Sequence, residues 1–108
     1  ILQLTRNKFE FCNLLANESP FINLKNLEHL ILNFNPIKNL PKGLFAGLEF
    51  LKILSMLGIP IETIEESSFI GLKYLRKMHL NLVMNSNLKF IHKNAFKDLK
   101  YLEPIFLN

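Results

Sequence analysis

The chain has 108 residues, 13 lysines and arginines against 9 aspartates and glutamates, 49% hydrophobic residues, one cysteine and no tryptophan. Low hydrophobicity with high net charge marks disordered chains, and this composition is the opposite. No uncharged apolar stretch reaches the ~18–20 residues that span a bilayer, and Cys12 has no second cysteine in the chain with which to form a bridge.

The first element is a strand, ILQL, with Leu2 and Leu4 alternating against Ile1 and Gln3. Asn7, Phe9 and Cys12 follow, and the loop NLLANESP leads to Phe21. That loop holds the sequon Asn17-Glu18-Ser19, a surface acceptor for glycosylation in a secreted protein; Pro20 behind it lowers its use. From Phe21 the chain repeats. FINLKNL recurs as FAGLEFL at Phe45, FIGLKYL at Phe69 and FKDLKYL at Phe96, at spacings of 24, 24 and 27 residues. Each copy ends on a leucine, Leu27, Leu51, Leu75 or Leu102; three residues on stand Leu30, Leu54, Met78 and Ile105, and two further Leu32, Met56, Leu80 and Leu107. Apolar spacing that narrows from three to two fits a bend entering a short strand, not a long helix. Each unit is therefore one coil with one strand: a partial repeat over 1–23, full repeats at about 24–47, 48–71 and 72–98, and a partial repeat over 99–108. The chain begins and stops inside a strand, without the polar caps that solenoid ends need, as expected of a fragment.

These residues resemble the leucine-rich repeat family, whose consensus is L-x-x-L-x-L-x-x-N-x-L. Leu27, Leu30, Leu32, Asn35 and Ile37 fill it in the first full repeat, followed by Leu40, Pro41 and Phe45. The tail LPKGLFAGL is similar to the 24-residue class common in secreted and cell-surface ectodomains such as Toll-like receptors. The resemblance implies an α/β repeat fold, a leucine-rich-repeat solenoid with a parallel β-sheet on the concave face and irregular or 3₁₀ return segments on the convex side. It also implies recognition of a protein ligand or co-receptor outside the cell.

Within such a coil, Phe21, Phe45, Phe69 and Phe96 are expected to form an aromatic spine in the core. Two residues after each ring stand Asn23, Gly47, Gly71 or Asp98, the types that best tolerate a left-handed backbone, so a φ > 0 turn is expected there. Asn35 is expected to hydrogen-bond backbone groups that the bend leaves unpaired. Asn7 fits that role in the leading repeat and Asn85 in the third full repeat, where NLVMNSNLKFI carries three extra residues; Ile59 before Pro60 breaks the ladder in the second.

Nothing recommends an enzyme. Cys12 occupies an apolar core slot, where an unactivated thiol is inert. His29 and His79 lie two coils apart, about 10 Å at ~4.8 Å per strand, too far to share one zinc ion readily, and His92 reads as solvated surface. There is no Cys-x-x-Cys, His-Glu-x-x-His or glycine-rich phosphate loop, and neither cofactor nor metal is expected. The positive balance is dispersed in mixed-sign columns, Lys25, Glu49, Lys73 and Lys100, then Glu28, Lys52, Arg76 and Glu103, which argues against nucleic acid.

The informative surface is the concave one, where residues between the paired leucines face outward. His29, Ile31, Asn33, Ile53, Ser55, Leu57, Lys77, His79, Asn81 and Phe106 are its candidate ligand contacts. With Phe34 and Leu82 they make an apolar patch dotted with polar groups, and contiguous exposed apolar surface marks interaction; alternatively, Phe34 and Leu82 fold inward at the strand ends. The expected function is a protein-binding segment of an extracellular receptor ectodomain. The alternatives are a secreted adhesive or matrix repeat protein, and a substrate-recruiting segment of a larger intracellular enzyme.

Overall fold

A computed structural model describes residues 1–5, 19–80 and 86–103. Six short strands follow in chain order: β1 (Leu2–Gln3), β2 (His29–Ile31), β3 (Ile53–Met56), β4 (Thr63–Ile64), β5 (Lys77–Leu80) and β6 (Phe90–Ile91). β1, β2, β3 and β5 form one parallel sheet in that order, and β4 pairs with β6 in a second.

Register in the larger sheet follows the repeat. Leu2 lies opposite Leu30, Leu30 opposite Leu54, and Leu54 opposite Met78. From β2 onward a strand residue and its counterpart 24 positions on thus occupy the same place in adjacent coils, while β1 and β2 are offset by 28 positions. The side chains alternate, and Leu30, Leu32, Leu54, Met56, Met78 and Leu80 all turn into one core.

The heptapeptide after each spine phenylalanine is closed by two successive i→i+3 hydrogen bonds. Leu48 N donates to Phe45 O and Leu51 N to Leu48 O; the same pair recurs from Phe21, Phe69 and Phe96. A path of three residues per turn puts i, i+3 and i+6 on one side. Phe45, Leu48 and Leu51 are accordingly all fully buried. Phe69 stacks on Phe45 at 6.2 Å and on Phe96 at 5.5 Å, nearly parallel to each.

Three expectations need correction. The described residues contain no helix, so the α in α/β falls away: strands alternate with turns. The return path is not merely irregular, since the second ladder runs along it. Asn39 bridges to Thr63, Thr63 pairs with Phe90 and Ile64 with Ile91. The three extra residues of the third repeat fall between the two sheets, because Leu54 to Met78 spans 24 positions and Thr63 to Phe90 spans 27. The left-handed turn after the spine ring holds at Gly47 (φ 91°) and Gly71 (φ 104°) but not at Asn23 or Asp98. Glycine is required where coils touch: a Cβ on Gly47 would stand 2.4 Å from the carbonyl oxygen of Ile22. Finally, an unforeseen left-handed position appears at Phe34 (φ 59°), matched one coil later by Gly58 (φ 67°). A bulky side chain seldom adopts that region, and the Phe34 ring occupies the space a Cβ on Gly58 would fill, 2.4 Å away.

Candidate functional site

Asparagine chemistry at the end of β2 organises the strand face. Asn35 is 1% exposed, and its Nδ2 donates to Leu4 O at 2.8 Å and Leu32 O at 2.9 Å. It ties its own bend to the preceding coil. Asn33 points the other way: its Oδ1 accepts from Ser55 Oγ and from Leu57 N, both at 2.8 Å. One asparagine fastens the coil before, the other the coil after. Asn7 and Asn85 lie outside the described residues.

The ten candidate contacts fare unequally. His29, Ile53 and Lys77 are brought into one row by the register, and Ile31, Ser55 and His79 into the next. Lys77 and His79 are exposed, while His29, Ile31 and Ile53 are half-buried. Ser55 is only 6% exposed and its hydroxyl is spent on Asn33, so it is a coil-to-coil fastener and offers little to a ligand. Asn33 likewise commits its carbonyl to the next coil. The apolar exposure of this face concentrates beyond the strand ends, at Phe34 (49%) and Leu57 (38%); Phe34 does not fold inward. Asn81, Leu82 and Phe106 lie outside the described residues, as do Asn17 and Cys12. Ser19 of the sequon is buried, its Oγ donating to Leu44 O and accepting from Phe21 N.

A second face escaped the sequence reading. The sixth position of each heptapeptide, Asn26, Phe50, Tyr74 and Tyr101, forms a column of which three members are aromatic. Phe50 stacks on Tyr74 and Tyr74 on Tyr101, each at 5.8 Å. Phe50 is 49% and Tyr101 58% exposed, so this ladder lies at the surface, unlike the Phe45 spine. Lys73 Nζ stands 5.3 Å from the Tyr74 centroid, in cation–π range. Beside the rings runs the column Glu28, Lys52, Arg76 and Glu103, with Lys52 to Glu28 at 2.7 Å and Arg76 to Glu103 at 3.8 Å. Together Phe50, Lys52, Tyr74, Arg76, Tyr101 and Glu103 line an open groove of about 600 Å³. The signal was legible in the heptapeptides themselves, as an aromatic residue at a position the core does not use.

The electrostatics are those of exposed pairs. The hydrogen bond from Lys52 holds the Glu28 carboxyl below its ordinary range. On the return side Lys97 does the same to Glu66, and Glu66 raises Lys97 in turn. His92 stands 3.9 Å from Glu66 and accepts from Asn94 N through Nδ1. Among the described residues no three histidines, acids or cysteines are grouped to hold a metal ion.

Parallel coils in register, a shared leucine core and asparagines fastening coil to coil define a repeat protein whose broad faces are free for binding. Residues 25–82 match the family described as leucine rich repeat, and the chain belongs to that family. Leucine-rich repeat domains typically bind proteins. The chain is also similar to biglycan of Xenopus laevis, with 45% identity over 56 residues, covering 48% of this chain and 15% of that protein.

Proposed function

We propose that this chain is a non-catalytic recognition segment of an extracellular protein, a receptor ectodomain of the 24-residue repeat class, which engages a protein ligand on the face of its four-stranded sheet. The observation that carries the reading is the row of register-aligned side chains His29, Ile53 and Lys77 beside Ile31 and His79, bordered by exposed Phe34 and Leu57. These residues are held at fixed spacing by a rigid ladder. Several of them are apolar, although core packing does not require them to be. Solenoids characteristically use such extended faces for binding. The partner is a protein ligand or co-receptor, without a cofactor.

A second reading is favoured by one specific observation. The resemblance to biglycan, an extracellular-matrix protein, supports an extracellular location, and it fits an adhesive or matrix-organising role as well as a receptor.

The test is a panel of individually identified secreted and cell-surface ectodomains, arrayed and probed with this protein. Binding to a panel member is expected to fall at least tenfold with Ile31→Asp combined with Ile53→Lys, both half-buried at the strand face. Binding that ignores this double variant would overturn the sheet-face reading.

A further inference from the structure

We infer that the aromatic groove beside the sheet is a second docking surface, one that takes a short acidic peptide segment in extended conformation. Its apolar side chains would seat on the Phe50, Tyr74 and Tyr101 rings, and its carboxylates between Lys52 and Arg76.

The rings climb in steps of 5.8 Å. Alternate side chains of an extended chain recur every ~6.6 Å, close enough to place one on each ring step. An open groove lined by successive aromatic rings is the kind of surface that peptide-binding modules offer.

Charge decides the chemistry of the occupant. Along successive coils the flanking column reads Glu28, Lys52, Arg76, Glu103, with the backbone of each bonded to the last: Lys52 N to Glu28 O, Arg76 N to Lys52 O and Glu103 N to Arg76 O. The signs run negative, positive, positive, negative. Lys52 is held by Glu28 at 2.7 Å and adds positive charge from there, so the direct partner for an incoming carboxylate is Arg76. Arg76 is 62% exposed and meets Glu103 at 3.8 Å, beyond hydrogen-bond reach, so its planar fork is available for a bidentate carboxylate. The acids at both ends repel a long polyanion such as a sulfated polysaccharide, which would lay like charge on Glu28 and Glu103. They also disfavour a second copy of this chain: an antiparallel two-fold pairing of the columns in register sets Lys52 against Arg76 and Glu28 against Glu103. A segment with its acids at the centre meets neither penalty.

The surface is separate from the sheet face, so the two proposals fail independently. The probe is a fluorescently labelled peptide, Ser-Gly-Phe-Glu-Phe-Asp-Gly-Ser, titrated against the protein and followed by anisotropy. Saturable binding is expected, weakened at least tenfold by Tyr74→Ala and at least tenfold by Lys52→Glu combined with Arg76→Glu. The same peptide with lysines for both acids is expected to bind the wild type at least tenfold less well, and to regain affinity for the charge-reversed protein. This arm reads the interaction even where one variant loses structure, because the wild type alone distinguishes the two peptides. Ile31→Asp with Ile53→Lys is expected to leave the acidic peptide's affinity within twofold. The inference is overturned by absence of saturable binding, by equal affinity for the acidic and lysine peptides, or by a sulfated oligosaccharide binding more tightly than the peptide. Sedimentation showing a dimer that Tyr74→Ala abolishes overturns it too, since the groove would then serve self-association.

Discussion

Two aromatic ladders run through this protein, and truncating one ring of each tests whether burial has been assigned correctly. Phe69 is 2% exposed and sandwiched between Phe45 at 6.2 Å and Phe96 at 5.5 Å. Phe50 makes a similar stack with Tyr74 at 5.8 Å but is 49% exposed. Phe69→Ala removes a fully buried ring from a packed column, and such changes cost about 3–5 kcal/mol through lost transfer energy and the cavity left behind. Phe50→Ala leaves no closed cavity. Roughly half the transfer value of a phenylalanine, plus a stacking contribution of ~0.5–1.5 kcal/mol, puts its cost at about 1.3–3 kcal/mol. Domains of this size are stable by only ~5–15 kcal/mol. Phe69→Ala therefore removes a large fraction of the total, and in a stack of coils held by nearest-neighbour contacts it also uncouples the coils on either side. The measurement is urea denaturation followed by far-ultraviolet circular dichroism, with midpoint and slope compared across wild type and both variants. Equal losses, or a Phe69→Ala cost below about 1.5 kcal/mol, would refute the division into core spine and surface ladder.

Gly47→Ala and Gly43→Ala form a second contrast, because both glycines have φ near 90° but only Gly47 has a neighbour where Cβ would go. Gly43→Ala should cost about 1 kcal/mol for the left-handed backbone and Gly47→Ala more than twice that, both read by the same denaturation; similar costs would deny the close coil contact. Asn35→Ala strands the carbonyls of Leu4 and Leu32, with an expected loss of about 2–6 kcal/mol at ~1–3 per unsatisfied buried group, and amide exchange should quicken at the end of β2. For pH, Glu28 and Glu66 are held below their ordinary value by Lys52 and Lys97. A depressed carboxyl contributes stability that is present above the unfolded pKa near 4.5 and is lost as pH falls through the lower folded value. The raised Lys97 contributes stability present below its unfolded pKa of 10.5 and lost as pH climbs through the higher folded value. Lys97→Met should therefore flatten the acid limb of the stability curve as pH falls through and below the ordinary carboxylate value, most clearly at low salt, since exposed pairs are screened; an unchanged acid limb would show that the pair contributes nothing.

The core was legible because packing leaves a regular trace. Phe45, Leu48, Leu51, Leu54 and Met56 fall at fixed steps, each is buried, and the 24-residue offset equals the strand register. What escaped depends on relations between coils rather than within one. Nothing in the string Asn33-Phe34-Asn35 states that the first asparagine fastens the following coil and the second the preceding one, because that depends on which backbone groups of the neighbouring coils stand within reach. For the same reason Ser55, which alternation alone sets facing outward, ends up covered and bonded. The second sheet was obscured by its brevity. Thr63–Ile64 and Phe90–Ile91 are two residues each, too short for alternation to register, and the 27-residue offset hides their pairing from a search at 24. Asn23 and Asp98 mark the opposite case: a residue type that permits a left-handed turn does not require one.

In a repeat protein every position of the coil becomes a column, so a surface is composed by choosing one residue type and stacking it. Where a column serves packing, the reason for its composition is visible in burial, as with the Phe45 spine. The column of Phe50, Tyr74 and Tyr101 has no such reason, since about half of Phe50 and more than half of Tyr101 face solvent and polar side chains would serve an exposed site better. Stacking between neighbouring rings repays only part of that exposure. The sheet-face column Ile31, Ser55 and His79 instead changes character at every coil and loses one member to internal bonding. A uniform column suits a ligand with a repeating backbone lying along the coils, whereas a varied one suits the irregular surface of a folded partner. On the two proposals made above, the faces take different kinds of protein ligand, an extended segment in the groove and a folded domain on the sheet.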